Sequence, residues 1–552
     1  MTGETTGAAG GAPTEGSATE ATPRKRGKLK KWLKRAVIAV VVLAVPVGAF
    51  AWYNFFREVD QPEWITSDPE ANFLHGSIGA EAQAGIPYWI VVVLPRIFDD
   101  LLPGPGGYAS LGLPWKEGTE LPVGFSKKTV GFDRVGFNCA LCHATQFRVE
   151  PDETPTIVAA GGSHTADIEG LLNFFSEAAA DSRFGAETIM TQIDMAYPLG
   201  WVDRLLYKYL FIPLTRKQLR QQGEEFQWAA DRPEWGPGRD APMNLTKFNF
   251  LRMEVDNSVD NTDFPSIWNL RTRVQEGRTW PEDDFALTAD WSTVDVDPSR
   301  LMLMNLDGAT TSFRAVLIDS ALGLQAENSA FFRQRMADME DWLMNLPPPE
   351  YPLPIDEALA AAGEPVFEAS CASCHASGRD NRLGTVIPLD EIGTDPERAD
   401  AWNREAADSA NRAVRSLTGI QRTPMGKPDV PGYIALQLDG LWLRGPYLHN
   451  GSVPTVRALL EPPEDRPDAF YRGYDVLDRH NLGFISRRCE GERAELPDAA
   501  PGPAAPMWGC MPSHEGWLLD TSERGNGNGG HVYGTELPDA EKAALLEYLK
   551  TF

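Results

Sequence analysis

The sequence predicts a mainly α-helical protein, in which an N-terminal membrane-spanning helix precedes two helical domains with long irregular loops. Three observations predict this class: an uncharged apolar run after a strongly basic stretch, three segments with helical periodicity, and a proline-rich stretch between two of those segments. The chain has 552 residues, of which 42% are hydrophobic and 10% aromatic. A chain of this length and composition can bury the cores of several domains.

The N-terminal region divides by composition. Residues 1–22 are rich in Gly, Thr, Ala and Glu without an apolar period, and RKRGKLKKWLKR (24–35) then places eight cations in twelve residues. We expect residues 1–35 to be a disordered cytoplasmic tail that ends in a basic juxtamembrane segment. Residues 36–56 carry no formal charge and are long enough to cross a bilayer as a transmembrane anchor.

The flanks of this apolar run indicate its orientation. Cations precede the run, and Trp52 and Tyr53 lie at its far end. This asymmetry predicts a single-pass protein of the inner (cytoplasmic) membrane, with the chain after about residue 57 in the periplasm. A cleaved signal sequence is the alternative, because Ala49-Phe50-Ala51 has the small-x-small form of a cleavage site. The long stretch ahead of the run favours an uncleaved anchor, because signal peptides begin with a shorter basic region.

The rest of the chain divides at a run of prolines. Helical periodicity is clearest in three segments, 167–184, 327–346 and 539–552. Between the last two, PPPEYPLP (347–354) has five prolines in eight residues and is expected to be an extended linker. It separates an N-terminal domain, residues 57–346, from a C-terminal domain, residues 355–552. The apolar run at 87–98 is too short to cross a membrane and is expected in the core.

The formal charge of the chain is −27. So acidic a chain offers no broad surface that could neutralise phosphates, which argues against a nucleic-acid partner. An acidic surface suits a small basic electron-carrier protein, which it would attract by electrostatic steering. Solubility alone is an equally good explanation of the charge.

The pattern Cys-x-x-Cys-His occurs twice in a chain with only 6 Cys and 8 His, in FNCALCHATQF (137–147) and in ASCASCHA (369–376). At this composition chance predicts about one match per thousand such chains. In c-type cytochromes the two thiols bond the vinyl groups of a haem, and the His becomes an axial ligand of the iron. We therefore expect two covalently bound c-type haems, the first held by Cys139, Cys142 and His143 and the second by Cys371, Cys374 and His375.

A zinc site and a dithiol redox site are the alternatives to haem. In a zinc site the four Cys would have to meet across a spacer far longer than the usual ~15–20 residues. A dithiol redox site would leave both His residues and the duplication unexplained. Export across a membrane agrees with haem attachment, which takes place outside the cytoplasm.

The second Cys-x-x-Cys-His lies in a more specific context than the first. Gly363 and Phe367 precede it on a segment with an amphipathic pattern. This arrangement resembles the N-terminal helix of a class I cytochrome c, which packs on a C-terminal helix such as 539–552. The first copy lacks this pattern, so its surroundings are expected to be more divergent.

The two remaining cysteines, Cys489 and Cys510, flank a loop that includes ELPDAAPGPAAP (495–506). In an oxidising compartment the natural interpretation is a disulfide. Such a bond would stabilise the protein by roughly 3 kcal/mol by restricting the unfolded chain. Two free thiols are the alternative.

Long stretches of the chain resemble one protein superfamily. They include GLWLRGPYLHNGSVPTVRALLEPPEDRPDAFYRGYDV (440–476), GNGNGGHVYGTELPDAEKAALLEYLKTF (525–552), GFDRVGFNCALCH and DFPSIWNLRTR. These resemble the bacterial di-haem cytochrome c peroxidase superfamily, and most closely its rubber-oxygenase-like branch. The resemblance covers most of residues 70–552 and implies a fold of two class I cytochrome c-like haem domains.

The resemblance implies that the C-terminal haem transfers electrons and has two His ligands. The matching second ligand is His531, in the glycine-rich loop GNGNGGH, where missing side chains would let the backbone approach the porphyrin. Met425 and Met511 could instead supply a thioether ligand. His449 is interpreted as structural or in contact with the haem, and His514 lies inside the expected disulfide loop.

For the N-terminal haem, the resemblance implies that His143 is the proximal ligand and that the opposite position is open to peroxide or dioxygen. His164 is the nearest other candidate in sequence, and His75 is similar. The related branch uses no His at the position of His164, and a lone loop His is more often solvated than a ligand.

One departure from the family concerns the region between the haems. Related enzymes have a Trp-Asp-Gly stretch whose Trp lies between the two haems, whereas here Leu306 precedes Asp307. A leucine cannot relay an electron as an indole can. Trp268, in DFPSIWNL, is our candidate catalytic residue near the haem pocket, with core packing as the alternative.

We expect a membrane-anchored periplasmic di-haem c-type cytochrome oxidoreductase, resembling cytochrome c peroxidases. Peroxide or dioxygen would bind at the haem of His143, and electrons would pass through the haem of His375. The alternatives are a non-catalytic electron-transfer cytochrome with two six-coordinate haems, and an oxygenase that cleaves a hydrophobic substrate. An interdomain calcium ion is compatible with the resemblance, but no residue pattern predicts one.

Overall fold

The computed structural model describes residues 26–273, 301–377, 381–420, 425–427, 429–489, 510–512 and 515–552. The chain divides into two compact units, Met1–Arg57 and Glu58–Phe552. Residues 1–25, which are the greater part of the predicted disordered tail, lie outside the described residues. The proline- and alanine-rich stretch 495–506 and His514 lie outside them as well.

The first unit contains a long apolar helix. Helix α1 runs over Arg26–Ala51, includes Pro46, and continues as a π-helical turn over Trp52–Phe56. Its apolar side chains are exposed, and Leu43 is 69% exposed. The helix is long and apolar enough to cross a membrane, and a signal sequence would have the same properties.

Helices predominate in the second unit, and about 47% of the residues that the structure describes are helical. The mainly α-helical class predicted from the sequence is therefore confirmed. The α-helices of the second unit are α2 (Glu63–Thr66), α3 (Pro69–His75), α4 (Glu81–Ala84), α5 (Tyr88–Ile97), α6 (Ile168–Ala180), α7 (Ala186–Ala196), α8 (Trp201–Leu206), α9 (Ile212–Glu225), α10 (Pro242–Asn244), α11 (Phe313–Gly323), α12 (Ala330–Asn345), α13 (Glu357–Ser370), α14 (Ala372–His375), α15 (Leu389–Ile392), α16 (Glu397–Ala401), α17 (Arg404–Thr418), α18 (Val456–Leu459) and α19 (Asp539–Leu549).

The strands are short and pair in antiparallel sheets. The strands are β1 (Glu58–Val59), β2 (Ile86–Pro87), β3 (Phe125–Val130), β4 (Phe132–Phe137), β5 (Ala144–Phe147), β6 (Thr156–Ala159), β7 (Arg239–Asp240), β8 (Thr262–Asp263), β9 (Leu301–Met304), β10 (Thr310–Ser312), β11 (Val386–Pro388), β12 (Gly432–Ile434), β13 (Ala469–Arg472), β14 (Leu477–Asp478), β15 (Gly483–Phe484) and β16 (Trp517–Asp520). The largest sheet has four strands in the order β1-β3-β4-β2. Its centre is the β3–β4 hairpin, in which Phe125 pairs with Phe137 and Val130 with Phe132. The β3–β4 hairpin leads directly into the first Cys-x-x-Cys-His.

The three segments with helical periodicity form α6, α12 and α19, as predicted. Local capping explains where two of them begin. The Asp167 carboxylate accepts a hydrogen bond from a backbone N–H in the first turn of α6, and the Ser329 hydroxyl does the same for α12. The apolar run at 87–98 forms α5 and buries Ile90 and Leu94 completely, so its predicted place in the core is confirmed.

Helix α13, which carries the second Cys-x-x-Cys-His at its end, packs closely on α19. Gly363 lies at the crossing, where a Cβ atom would collide with the carbonyl oxygen of Ala544. Phe367, one turn further on, is buried against the rings of Tyr548 and Phe552, with ring centroids 5.5 and 5.1 Å away. The predicted packing of the two terminal helices is therefore present, and it depends on a residue without a side chain.

Between α12 and α13 the proline-rich stretch 347–354 forms neither helix nor strand. It is not detached from the second unit, because the indole N–H of Trp442 donates a hydrogen bond to the Pro349 carbonyl over 3.1 Å. The backbone N–H of Asn269 donates to the Leu346 carbonyl over 2.8 Å. Segments on both sides of the predicted boundary therefore contact it.

Cys489 and Cys510 form the predicted disulfide, with their Cα atoms 4.9 Å apart. Backbone hydrogen bonds also join the two segments that carry these cysteines. The N–H of Cys489 donates to the Met511 carbonyl, and the N–H of Met511 donates to the Arg487 carbonyl. Met511 is fully buried in a small apolar cluster with Tyr474. The disulfide therefore closes the base of the loop against the core.

The close crossing of α13 and α19 makes Gly363 sensitive to substitution. Gly363→Ala is expected to lower the free energy of unfolding by about 1–3 kcal/mol, because the added methyl has to push the helices apart. The control is Gly323→Ala, at the end of α11, where a Cβ would meet nothing within 4 Å. Urea unfolding of the purified protein, followed by circular dichroism, measures both. Equal stability of the two variants would contradict the prediction.

Candidate haem-binding sites

The first Cys-x-x-Cys-His follows the end of β4 and begins as a short 3-10 turn, Cys139–Leu141. Asn138 sets this turn, because its side-chain oxygen accepts from the N–H of Ala140 over 3.0 Å and its side-chain amide donates to the Gly76 carbonyl over 2.9 Å. The N–H of His143 donates to the Cys139 carbonyl over 2.9 Å. The histidine therefore follows the two thiols within one turn of chain.

The orientation of the His143 ring is set by a backbone carbonyl. Its Nδ1 lies 2.9 Å from the carbonyl oxygen of Pro265, so Nδ1 carries the proton of the neutral ring. Burial lowers the pKa of His143 to about 4, which keeps the imidazole neutral. Its Nε2 lone pair is then available to a metal, which is the usual arrangement of a ligating histidine.

The second Cys-x-x-Cys-His follows α13 and folds into the short helix α14. The N–H of His375 donates to the Cys371 carbonyl over 3.0 Å. The Nδ1 of His375 lies 2.6 Å from the carbonyl oxygen of Leu436, and burial lowers the pKa of this ring as well. The two sites therefore share one local design, in which a neutral imidazole is oriented by a carbonyl from a distant segment.

His531 lies opposite His375, with ring centroids 6.3 Å apart. A metal–imidazole bond is about 2 Å long and the ring centre lies about 1 Å further, so two rings on opposite sides of one metal ion have centres about 6 Å apart. The Nδ1 of His531 is buried and has no hydrogen-bond partner. Burial, together with the charge of His375, lowers the pKa of His531 to about 4. These two rings fit a haem iron with two axial His ligands.

The glycine-rich loop brings His531 to this position by a tight backbone path. Gly530 has φ 72°, and a Cβ atom there would collide with the backbone at Gly393. His531 has φ 45°, and its N–H donates to the Ile392 carbonyl over 2.7 Å. The lack of a side chain at Gly530 therefore allows the loop to contact the backbone at Gly393 closely.

Arg466 holds the same loop, and no pattern in the sequence pointed to it. Its Nη1 donates to the carbonyls of Asn528 and Gly530 over 2.6 and 2.8 Å, and its Nη2 to that of His531 over 3.2 Å. The remaining bonds go to the carbonyls of Leu459 and Glu461, and the side chain is only 3% exposed. Carbonyl acceptors exist at every position of a chain, so sequence alone could not identify this arginine.

A second set of contacts holds the start of the loop to the N-terminal half of the unit. The Arg239 guanidinium donates to the side-chain oxygen of Asn526 over 2.7 Å, and the Asn450 amide donates to the carbonyl of Gly527 over 3.0 Å. Arg239 and Asn526 are fully buried. The segment that carries His531 is thus tied to both halves of the chain.

Trp268 joins the segment that contacts His143 to the segment that contacts His375. Its indole N–H donates to the Asp439 carbonyl over 3.0 Å, and the residue is buried. Pro265, the partner of His143, lies three residues before Trp268, and Leu436, the partner of His375, lies three residues before Asp439. The indole ring also packs closely on Gly440, where an added Cβ atom would lie only 2.7 Å from the ring. Two short peptide segments and three hydrogen bonds therefore connect His143 with His375 through this indole.

The other candidate His residues have different partners. His164 lies beside the first site, since Ser163 donates its N–H to Cys142, but its own ring hydrogen-bonds to Thr145 over 2.9 Å and stacks on Phe484. His75 packs on Trp64 with ring centroids 5.8 Å apart. His449 stacks on Tyr433 with ring centroids 3.8 Å apart.

The two candidate methionines also lie in other surroundings. Met425 packs against a cluster that includes Trp402, and Met511 is buried near the disulfide. Leu306, which precedes Asp307, accepts a hydrogen bond from the Ile434 N–H over 2.8 Å with its backbone carbonyl. Neither Met425 nor Met511 is among the residues described above that contact His375.

The two His rings differ in what they face. The ring of His375 faces His531, whereas the aromatic neighbour of His143 is Phe264, with ring centroids 6.5 Å apart. Over the described ranges of the chain, no second histidine ring lies against His143. Burial raises the pKa of the Cys142 thiol, and the nearby Asp240 carboxyl contributes to the same shift, so Asp240 lies near the first site.

The zinc alternative finds no support in the described part of the chain. The four Cys of the two motifs are free, and no group of three or more His, Cys, Asp or Glu side chains there is arranged to hold a metal ion. Burial raises the pKa of Cys139 and of Cys371 to about 11. Thiols that keep their protons are poor zinc ligands and poor redox nucleophiles.

A Cys-x-x-Cys-His at the end of a helix that crosses the C-terminal helix defines the class I cytochrome c arrangement. A family comparison agrees with this class, since residues 432–471 match the family described as RoxA-like, cytochrome c-like. The match supports a relationship with RoxA-like c-type cytochromes and, with it, a c-type haem and its iron. It lies within the C-terminal half, so the haem at Cys139, Cys142 and His143 remains a prediction.

Two relatives come from Sinorhizobium fredii (strain NBRC 101917 / NGR234). Uncharacterized protein y4iM is 29% identical over 282 residues, which cover 46% of this chain and 56% of that protein. Uncharacterized protein y4iJ is 24% identical over 618 residues, which cover 90% of this chain and 94% of that protein. The chain thus matches about half the length of the first relative and nearly all of the second.

The hydrogen bonds from Arg466 to the glycine-rich loop can be tested by substitution. Arg466→Gln removes the donors to Asn528, Gly530 and His531, so the loop should loosen and His531 should bind iron less completely. We expect a mixed high-spin and low-spin haem spectrum in place of a low-spin one, measured by absorption and electron paramagnetic resonance (EPR) spectroscopy.

Two further variants control this test. Arg457→Gln should leave the spectrum unchanged, because Arg457 forms ion pairs with Glu461 and Asp539 instead. Arg466→Lys, which keeps one cation, should restore part of the low-spin signal. A fully low-spin spectrum in Arg466→Gln would show that the clamp does not position His531.

Proposed function

We propose that this protein is a membrane-anchored periplasmic di-haem c-type cytochrome oxidoreductase, resembling cytochrome c peroxidases. One observation carries the proposal: His375 faces a second histidine at 6.3 Å, while the ring beside His143 is a phenylalanine. A site with two His ligands suits electron transfer, and a site with one leaves a position for peroxide or dioxygen. The asymmetry supports a division of labour between the two sites.

The haems would supply the redox chemistry when bound, and the chain would supply attachment, orientation and exclusion of water. The paired Cys residues would hold each haem by thioether bonds. Pro265 and Leu436 hold the proton of each histidine on Nδ1, which directs Nε2 toward the metal.

Trp268 is proposed as the relay between the two sites. Its indole joins the segment that orients His143 to the segment that orients His375 through one hydrogen bond to Asp439. An aromatic ring on such a route couples two redox sites better than an aliphatic side chain of similar size. Leu306 leaves the family's usual position without an indole, so this role would fall to Trp268 in this chain.

Asp240 is proposed to hold a proton for the oxidant at the first site. It lies on β7, which pairs with β8 two residues before Pro265. Burial, followed by the charge of Asp260, raises the pKa of Asp240 to about 8, so the carboxyl keeps its proton at neutral pH. Reduction of peroxide consumes protons, and a buried protonated carboxyl is a suitable donor.

Electrons would come from a small basic carrier protein. The chain has a net charge of −27, which would steer such a carrier toward it. Near the second site, Val532 is exposed directly after His531, and Glu364 and Glu368 are exposed on α13. An exposed apolar residue beside His531, on a protein of net negative charge, suits a transient electron-transfer contact.

The first experiment is EPR spectroscopy of the full-length protein as isolated in detergent. We expect one high-spin ferric signal beside one low-spin signal, and cyanide should convert only the high-spin signal. Two low-spin signals that persist with cyanide, and through reduction and reoxidation, would establish two closed haems and an electron-transfer protein without an oxidant site. Peroxide-dependent oxidation of a reduced basic cytochrome then separates a peroxidase from an oxygenase.

Replacement of His531 assigns the low-spin signal. His531→Ala should convert that signal to a high-spin one, because the iron bound to His375 loses its sixth ligand. The control His480→Ala changes an exposed histidine and should leave both signals as they are. A low-spin signal that survives His531→Ala would show that another residue is the ligand.

If Trp268 is the relay, its replacement should change the rate of electron transfer between the haems and leave the haem spectra unchanged. Trp268→Phe should slow electron transfer between the two haems by about tenfold or more, which corresponds to roughly 1.4 kcal/mol or more of activation free energy. Flash reduction of one haem, followed by absorption at both, measures this rate. Trp228→Phe is the matched control, because Trp228 is also buried but hydrogen-bonds to Asn249. Equal rates in both variants would remove Trp268 from the route.

A further inference from the structure

A stripe of large apolar side chains is exposed along one continuous helical segment. This segment comprises α8, a π-helical turn at Tyr207–Phe211, and α9. Trp201, Leu205 and Tyr209 are 76%, 50% and 68% exposed, and their spacing of four residues puts them on one side of the helix. We call these three residues the apolar stripe. Exposed Met195 and Tyr197 extend it at the N-terminal end.

The opposite side of the same segment is already packed on the protein. Tyr207, Phe211 and Ile212 are buried, and the Phe211 ring stacks on Phe132 with centroids 3.9 Å apart. The core therefore takes one apolar side of the helix and leaves the apolar stripe without a partner in the described part of the chain. An exposed group of aromatic and aliphatic side chains of this kind usually marks an interaction surface.

The helical segment that carries the stripe has a net positive charge in an acidic protein. Residues 201–225 contain five cations and three anions, whereas the whole chain has a net charge of −27. Lys208, Lys217 and Arg220 are exposed on this segment. Trp, Tyr and Leu with interleaved Lys and Arg is the composition of helices that lie in the interface of an anionic bilayer.

The segment lies next to the place where the chain enters the second unit. Glu58, the first residue of that unit, pairs with Val130 on β3. Val130 in turn pairs with Phe132 across the hairpin, and Phe132 stacks on Phe211 of the segment. In sequence, Glu58 follows the apolar helix of the first unit after the single residue Arg57.

We propose that the apolar stripe is a second membrane-contact surface, which inserts Trp201, Leu205 and Tyr209 into the headgroup region of an anionic phospholipid bilayer. The proposal rests on the proposed membrane location, since the stripe adds to a membrane contact that the N-terminal helix would already make. Aromatic rings partition into the interface, and the neighbouring cations pair with anionic headgroups.

Photo-crosslinking from lipid tests the proposal on the full-length protein. The protein is reconstituted into vesicles of phosphatidylcholine with roughly one third phosphatidylglycerol and a trace of a phospholipid that carries a photoreactive group near its headgroup. After illumination and digestion, mass spectrometry identifies the labelled peptides. We expect label in residues 36–56 and in residues 195–214, and about threefold less in 195–214 when phosphatidylcholine replaces phosphatidylglycerol.

Two triple variants sharpen the test. The stripe variant combines Trp201→Gln, Leu205→Gln and Tyr209→Gln. It should reduce the label in residues 195–214 about fivefold or more and leave residues 36–56 unchanged. The control variant combines three other exposed apolar residues, Leu417→Gln, Val430→Gln and Leu518→Gln. Both regions should be labelled normally in the control variant.

The outcomes separate the stripe from the anchor. Label in residues 36–56 alone overturns the stripe proposal and keeps the anchor. Label in residues 195–214 alone, with a mature mass that lacks the N-terminal helix, supports the stripe and overturns the anchor. An unlabelled stripe, together with a dimer in sedimentation that the stripe variant converts to a monomer, overturns the proposal in favour of a second copy of the chain.

Discussion

A hydrogen bond from a histidine ring to a backbone carbonyl occurs at both haem-attachment motifs, and much of the second unit is arranged around these two bonds. A Cys-x-x-Cys-His supplies thiols and an imidazole, but it cannot by itself decide which ring nitrogen is free. Pro265 and Leu436 decide it from distant parts of the chain. The segments that contain these carbonyls must therefore be held in place, and the Trp268–Asp439 hydrogen bond holds them to each other.

Features that depend on a few neighbouring residues were predictable from the sequence. The three periodic helices, the helix crossing at Gly363 and the disulfide each have a local signature, and the structure contains them all. The four-stranded sheet was not predicted, because its strands are short and β1 and β2 contribute two residues each. Such brief strands depend on pairing with distant segments, which no local pattern reveals.

In the candidate sites, too, some residues could be predicted from the sequence and others could not. His531 could be proposed because the resemblance to a known family matched it with a second axial ligand. Arg466 could not, because its bonds go to backbone carbonyls, which every residue has. The apolar stripe was also missed, because Trp201, Leu205 and Tyr209 look like core residues in a sequence. Only the structure shows that the core packs against the other side of their helix.

The clamp on the His531 loop has a consequence for how the second site handles a change of iron charge. A ligand on a mobile loop shifts when the metal gains or loses an electron, and that shift adds a reorganisation cost to each transfer. Arg466 donates hydrogen bonds to three carbonyls of the loop, those of Asn528, Gly530 and His531, and Gly530 lies against the backbone of Gly393. If His531 is the second ligand, as we propose, a loop held in this way would keep it in the same position in both oxidation states. The same contacts would hinder His531 from moving aside, so external molecules would be kept from an iron bound at His375.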